Sequence, residues 1–484
     1  MVGINAQENL NLSVEESTIL DADATTLGEM IRKQEVTSTE VTKIYIEHIK
    51  KVNPTINFLV EDRFSVALAE AENADRQILN NQAFGALFGV PMSMKVSFHI
   101  EGMKTTGGLI HRKDAIQPMD AEVVQKLKKA GAILLGKTNT PELCFCQETD
   151  NKLYGRTSNP RDLERTAGGS SGGEAAMIAV GGAAAGLGSD IGGSIRFPSH
   201  FNGVVGFKSG RGQVSANGSY PGEEDELQSR MLGIGPITKS VQDAKLLYNI
   251  IAKKEAEEQS LNQFTINVLP VTDYPLSSAT VALLNSTEHL LSTRFSVERQ
   301  VPPFFKESAS LWQEIMSING AETMRKEAFS GKSISPIHSY LTDLLSKKAE
   351  NHRYLSWALI GASLFKPNQK RVKEIRDFIM NGDAVLADYL TDRILLFPVY
   401  HSAALKHGAV YKEIFSIRKT FKKYMPYVAY ANVWGLPSLT IPIGEDQDGM
   451  PIGLQLMSKN GNEDALFQLG LQIEKEYVAY ERVL

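Results

Sequence analysis

Cysteine is scarce. The 484 residues contain two, Cys144 and Cys146, one residue apart and without distant partners, so neither a disulfide framework nor a four-cysteine zinc site can be assembled. A reducing compartment fits this usage, and the expected localisation is cytoplasmic. Long apolar runs are missing too. The most apolar long stretch, Ala175 to Gly188, is rich in small residues and falls short of the ~18 uninterrupted apolar positions of a membrane span, which predicts a buried helix and turn. Met1 to Asp23 has no basic start followed by an apolar run, so no cleaved signal peptide is expected. Positive charge is not in excess, because 51 Lys plus Arg stand against 56 Asp plus Glu, a net charge of -5. A general nucleic-acid binder needs a concentrated basic surface to displace counterions from phosphates, so that class is excluded.

What is present has the composition of a soluble globular protein, 42% hydrophobic and 22% charged. Asp21 to Asn80 carries helical spacing. Thr26 precedes Leu27, Met30 and Ile31, and Val41, Ile44, Tyr45 and Ile49 follow as a second set, a helical lead-in over about residues 1–80. From Phe88 the texture changes to short apolar runs broken by glycine and proline (Gly89 to Val96, Ala132 to Leu135, Val204 to Phe207), with helical stretches such as Ala121 to Lys129 between them. Strands alternating with helices predict an α/β fold, an α/β/α sandwich around a mixed, largely parallel sheet. Residues 253–392 are more polar, poorer in glycine and mostly helical in pattern, which predicts a helical insertion or cover. Ser438 to Ile443 and Ile452 to Met457 read as strands rejoining the same sheet, followed by a helix from Asn462. With no internal repeat and no low-complexity linker, residues 1–484 are expected to form one continuous domain.

The chemistry concentrates in one segment. Gly168 to Gly193 holds 10 glycines in 26 residues, where the chain average of 39 in 484 would place about two. It reads Gly168-Gly169-Ser170-Ser171-Gly172-Gly173-Glu174, then a small-residue helix, then Asp190-Ile191-Gly192-Gly193-Ser194-Ile195-Arg196-Phe197-Pro198 after Gly188-Ser189. A serine hydroxyl needs a neighbouring base to become a nucleophile, and the oxyanion that develops needs preorganised donors. The turn Ile191-Gly192-Gly193-Ser194 can aim successive backbone N–H groups at one point, with Ser194 placed to attack. The segment itself contains neither GxxxxGK[ST] nor GxGxxG, which argues against phosphate binding there.

For the base, nine scattered histidines form no metal-ligand pair such as HExxH. The other candidate is Lys95, in the mostly apolar run Val90 to Val96, where burial disfavours the ammonium and supplies a neutral amine. A rival assignment takes Ser170 in Gly168-Gly169-Ser170-Ser171-Gly172, a GxSxG match, as the nucleophile of an α/β-hydrolase served by His401 or His407.

Lys95 within Gly89-Val90-Pro91-Met92-Ser93-Met94-Lys95, the Gly169 to Glu174 motif and the Asp190 to Pro198 motif together resemble the amidase signature family, and similarity extends to Asn432-Val433-Trp434-Gly435-Leu436-Pro437 and Pro451 to Gln455. The resemblance implies the amidase signature fold and a Ser-Ser-Lys triad. Ser194 would be the nucleophile, Ser170 the bridging serine on a cis peptide after Gly169, and Lys95 the base. It also implies an oxyanion hole at Ile191, Gly192, Gly193 and Ser194. Backbone near Cys144 would line the pocket, with Ser171, Asp190 and Arg196 holding the loops. It calls for no metal and no organic cofactor.

The family includes free-standing amidases and the amidotransferase component that releases ammonia from glutamine. In the latter, an aspartate seven residues before the motif asparagine grips the substrate amino group. Here the asparagine is Asn432 and the corresponding residue is Met425, which cannot pair with an ammonium. Asn151 to Arg156, Ser189 to Arg196, and Phe397-Pro398 followed by Lys406-His407-Gly408 are similar to the fatty-acid amide hydrolase branch. The apolar stretch Tyr354 to Phe365 would then line an acyl channel or touch a membrane surface. The expected partner is a small-molecule amide with an apolar part. Peripheral membrane contact and a homodimer remain open, and no nucleic acid is expected.

Overall fold

The apolar runs between glycines and prolines become strands, and the stretches of three-to-four periodicity become helices around them. The computed structural model describes residues 12–80, 85–222, 225–270, 275–414, 421–477 and 480–483. Its strands are β1 (Leu59–Asp62), β2 (Pro91–Lys95), β3 (Ile133–Thr138), β4 (Ala185–Asp190), β5 (Val205–Lys208), β6 (Gly233–Thr238), β7 (Thr265–Val268), β8 (Val297–Arg299), β9 (Arg393–Pro398), β10 (Ser438–Glu445) and β11 (Pro451–Met457). They form one sheet in the order β1-β3-β2-β4-β6-β5-β10-β11-β9-β7-β8. The lead-in helix Ser38–Ile56 begins at a capping box between Thr37 and Glu40 and ends at Asn57 in the left-handed conformation. Its buried Val41, Tyr45, Ile49, Val52 and Ile56 recur at helical spacing and press one face onto the core.

The sheet is mixed, as expected, but it is not largely parallel. Only β3–β2, β2–β4, β9–β7 and β7–β8 run parallel; the other six pairings are antiparallel. β4 and β5 run in the same direction, joined through the helix Arg196–Asn202. A return strand, β6, then inserts between them antiparallel to both, and β11 does the same between β10 and β9. Strand texture reports burial rather than direction, so these insertions are invisible in the letters.

Two further expectations change. Ala175 to Gly188 is not a helix followed only by a turn: the helix Gly172–Ala179 ends early, and Ala185–Asp190 is the wholly buried strand β4. Its small residues serve close packing, since a Cβ at Gly186 would overlap the Glu174 carboxylate. Residues 253–392 do carry helices, including Ser278–Ser292, Phe305–Met316, Pro336–Ser346, Arg353–Leu364 and Gln369–Tyr389, but they also supply β7 and β8 at the sheet edge. Strands of four and three residues are too short to display alternation.

Side chains alternate across the sheet and feed two apolar cores. Along β9, Ile394 and Leu396 join the core with the helices Ser38–Ile56, Val241–Ile251 and Glu463–Glu476, whereas Leu395 and Phe397 join the one with Phe305–Met316, Gln369–Tyr389 and Pro426–Val433. Helices on both faces of one sheet make three layers. Among the described residues no helix is long and apolar enough to cross a membrane.

Candidate active site

Parallel pairing of β2 with β4 sets the C-terminal end of one beside that of the other, with Met92 opposite Ala185 and Met94 opposite Leu187. Lys95 closes β2, and Ser189 and Asp190 close β4, so a lysine and the start of a glycine-rich turn emerge together. The turn before the helix Gly172–Ala179 brings in Ser170, and the Gly169–Ser170 peptide is cis, as the resemblance implied. Lys95 Nζ lies 2.7 Å from Ser170 Oγ and 3.1 Å from Ser189 Oγ, both within hydrogen-bond reach. Lys95 is wholly buried, and burial lowers its pKa from the ordinary lysine value, against the opposing pull of nearby Cys144, Asp190 and Glu174. Among the described residues no carboxylate forms an ion pair with it.

Ser194 lines the same pocket as Ser170, Ser189, Ile191 and Cys144. Ser194 and Ser170 thus line one space, and no hydrogen bond joins their hydroxyls. Ser171 supports both walls: its N–H donates to Ser194 O at 3.1 Å, and its hydroxyl donates to Ser189 O at 3.4 Å. The Thr140 hydroxyl donates to Ser170 O at 2.8 Å. Leu143 and Cys144 both have left-handed backbone, φ 53 and 57, which turns this rim inward. Cys144 lines the pocket, with its thiol 3.4 Å from Thr140 Oγ1.

The turn after β4 is clasped by Asp190. Its carboxylate accepts the N–H of Gly193 at 2.8 Å and of Ile195 at 3.1 Å, together with two Arg196 bonds of 3.0 Å each. Arg196 is itself wholly buried and spends its remaining donors on Val428 O, Gln455 Oε1 and Asn432 Oδ1. Burial alone would raise the Asp190 pKa, but the Arg196 guanidinium and Asn432 hold it well below the carboxylate range. One expectation is corrected here: the Gly193 N–H is already satisfied by Asp190, so Gly193, at φ 91, shapes the turn and is not an oxyanion donor in this conformation. The N–H groups of Ile191, Gly192 and Ser194 have no protein acceptor among the described residues. Removing Arg196 should leave Asp190 charged in the interior; Arg196→Ala is expected to destabilise the fold by about 3–5 kcal/mol, read from the denaturant midpoint.

Beside this pocket lies an open apolar cavity bounded by Trp312, Trp357, Ile360, Ile414 and Phe421. Phe145 and Met316 line both spaces, so the two adjoin. The helix Arg353–Leu364, the apolar stretch singled out in the sequence, contributes Trp357 to Leu364 to its wall. Met425 is buried in the core at the start of the helix Pro426–Val433. The histidines of the α/β-hydrolase assignment are engaged elsewhere. His401 Nε2 is 2.9 Å from Glu413, and His407 Nε2 is 2.9 Å from Leu163 O, whereas Ser170 is bonded to Lys95. Sequence reasoning missed two residues at the site. Ser189 stood inside a quoted motif without a role, and Trp312 carried no local signal.

Comparison with known proteins places this geometry in a family. The Amidase family model matches residues 40–467. The chain is 34% identical over 491 residues to fatty-acid amide hydrolase 2-B of Danio rerio, across 95% of this chain and 90% of the relative. It is 30% identical over 482 residues to a glutamyl-tRNA(Gln) amidotransferase subunit of Thermoanaerobacter pseudethanolicus, across 93% and 95%. The structure of 6-aminohexanoate cyclic dimer hydrolase complexed with substrate superposes with a TM-score of 0.79 at 25% identity, covering 96% of this chain and 99% of that one. Since the matched region spans most of the sequence and contains Lys95, Ser170 and Ser194, the chain belongs to the Amidase, or amidase signature, family and is an amide-hydrolysing enzyme.

Proposed function

We propose that this enzyme hydrolyses carboxylic amides with an apolar or fatty acyl part, with Ser194 as nucleophile, Ser170 as bridging serine and Lys95 as base. The observation that carries the proposal is a buried lysine with a lowered pKa bonded to Ser170, beside Ser194, at the edge of an apolar cavity. Neutral Lys95 takes the proton of Ser170 as Ser170 takes that of Ser194, and Ser194 Oγ bonds to the amide carbon. The N–H groups of Ile191, Gly192 and Ser194 receive the oxyanion. The relay then returns a proton to the amine as the C–N bond breaks. Water attacks the acyl-enzyme by the same route and frees the Ser194 oxygen. Catalytic hydrogen bonds of this kind tighten once substrate is bound, which fits the unmade Ser194–Ser170 bond.

The relatives include both an enzyme named for fatty-acid amides and one named as part of an amidotransferase. Met425 in the core favours the first, because no acid stands where the amidotransferase is expected to grip an ammonium. Contact with a lipid surface belongs to the same proposal. Ile337, Leu341, Leu344 and Leu345 are exposed along one face of the helix Pro336–Ser346, whose Tyr340 packs on Trp357 of the cavity wall. The test is a panel of acetamide, glutamine and long-chain acyl amides given to the purified chain. Long-chain amides should be hydrolysed about 10²-fold faster, in kcat/KM, than acetamide, as burial of a few methylenes at ~0.8 kcal/mol each requires. Preference for glutamine, or activity only with added partner subunits, would overturn it.

A further inference from the structure

The indole of Trp312 has one edge in the glycine-rich turn and its ring on the apolar cavity. Its Nε1–H donates to Ile191 O at 2.7 Å, and its ring lies so close to Gly192 that a Cβ there would stand 2.7 Å from it. The same ring lines the cavity and sits 6.1 Å, centroid to centroid, from Phe421 on another part of the wall. Each peptide unit of the turn is planar, so whatever holds a carbonyl also aims the N–H of the next residue in the opposite direction. Gln147 Nε2 holds Gly192 O at 3.1 Å, which aims the Gly193 N–H that Asp190 accepts. Phe197 N–H holds Gly193 O at 2.7 Å, which aims the Ser194 N–H. The Ile191–Gly192 unit is held by Trp312, and its N–H is one of those without a protein acceptor.

We infer that Trp312 is a positioning residue that couples filling of the apolar cavity to the aim of the Gly192 N–H. An acyl chain packed against the indole restrains it, the indole fixes the Ile191 carbonyl, and the rigid peptide plane turns the Gly192 N–H toward the oxyanion. A bond to the carbonyl also polarises the same peptide and strengthens its N–H as a donor. Chain length should therefore be read partly in kcat and not only in KM. The inference rests on the proposed roles of Ser194 and the turn N–H groups.

The experiment measures kcat and KM for one chromogenic amine acylated with straight chains from acetyl to dodecanoyl, using wild type, Trp312→Phe, Gly192→Ala and Ser194→Ala. Phenylalanine keeps an aromatic ring in the cavity and removes the N–H; alanine at Gly192 pushes the ring away from the turn, so the contact is probed from both sides. In wild type kcat rises and KM falls along the series. In Trp312→Phe the fall in KM persists, the rise in kcat is lost, and kcat for the longest chain drops by about 10- to 100-fold, less than deletion of an oxyanion donor outright. Gly192→Ala gives the same flat kcat series. A wild-type kcat indifferent to chain length, or parallel kcat series in wild type and Trp312→Phe, overturns the coupling and leaves the triad reading standing. Undiminished turnover by Ser194→Ala instead overturns the triad reading. A merely structural role for Trp312 would lower kcat equally at every length.

Discussion

Lys95→Ala is expected to lower kcat for amide hydrolysis by about 10⁴-fold, the upper range for loss of a general base, while binding of substrate changes little. The pocket explains the size of the effect: Lys95 Nζ is wholly buried and contacts two hydroxyls, Ser170 and Ser189, with no other titratable side chain bonded to Ser170 among the described residues. Lys95→Arg should be no better, because a guanidinium stays protonated and cannot accept the Ser170 proton. The pH profile carries a second signature. Burial lowers the Lys95 pKa, so the neutral base persists to lower pH than in an exposed lysine. Activity of the wild type should fall as pH drops through that lowered pKa, and the residual activity of Lys95→Ala should lack this limb. A mild effect of Lys95→Ala would point to a different base and sink the relay.

Ser194→Ala is expected to cost about 10⁶-fold in kcat, in line with loss of the nucleophile of other acyl-transfer sites. The same variant should lose labelling by a fluorophosphonate probe, which reacts only with an activated hydroxyl. Mass spectrometry of the labelled wild type separates the two serines. Modification at Ser194 supports the assignment, whereas modification at Ser170 would restore a GxSxG nucleophile and make Ser194 the accessory group. Ser170→Ala should cost no more than Lys95→Ala, since Lys95 would still reach Ser194 through water.

The residues legible in the sequence share one property: they lie in short motifs whose glycine content announces a backbone turn. Ser170, Ser171 and Asp190 fall within one glycine-rich stretch, Ser194 and Arg196 follow it directly, and the clasp of Asp190 around the following turn is a local event spanning a few residues. Lys95 stands out as a lysine in an apolar run, but only the family resemblance of the motifs taken together gives it a role. Ser189 was not assigned, since its contact with Lys95 exists only once β2 and β4 pair, 94 residues apart in sequence. Trp312 meets Ile191 from 121 residues away, on a helix whose apolar spacing looks like any other. Motif letters also mislead. Gly131 to Thr138 matches GxxxxGK[ST], yet Ile133–Thr138 is the interior strand β3, and Lys137 is bonded to Thr105 and the Lys104 carbonyl, so no loop is available to cradle a phosphate. Strand direction was illegible for a similar reason, because an inserted return strand such as β6 leaves the burial pattern of its neighbours unchanged.

The side chains proposed to move protons lie between positions 95 and 194, at the ends of β2 and β4 and the turns beside them, whereas the cavity wall comes mainly from two helices, Phe305–Met316 and Arg353–Leu364. Reactivity and appetite are thus inherited from separate stretches of polypeptide. Substitutions in the helix Arg353–Leu364 would therefore reshape that wall without touching Lys95, Ser170 or Ser194.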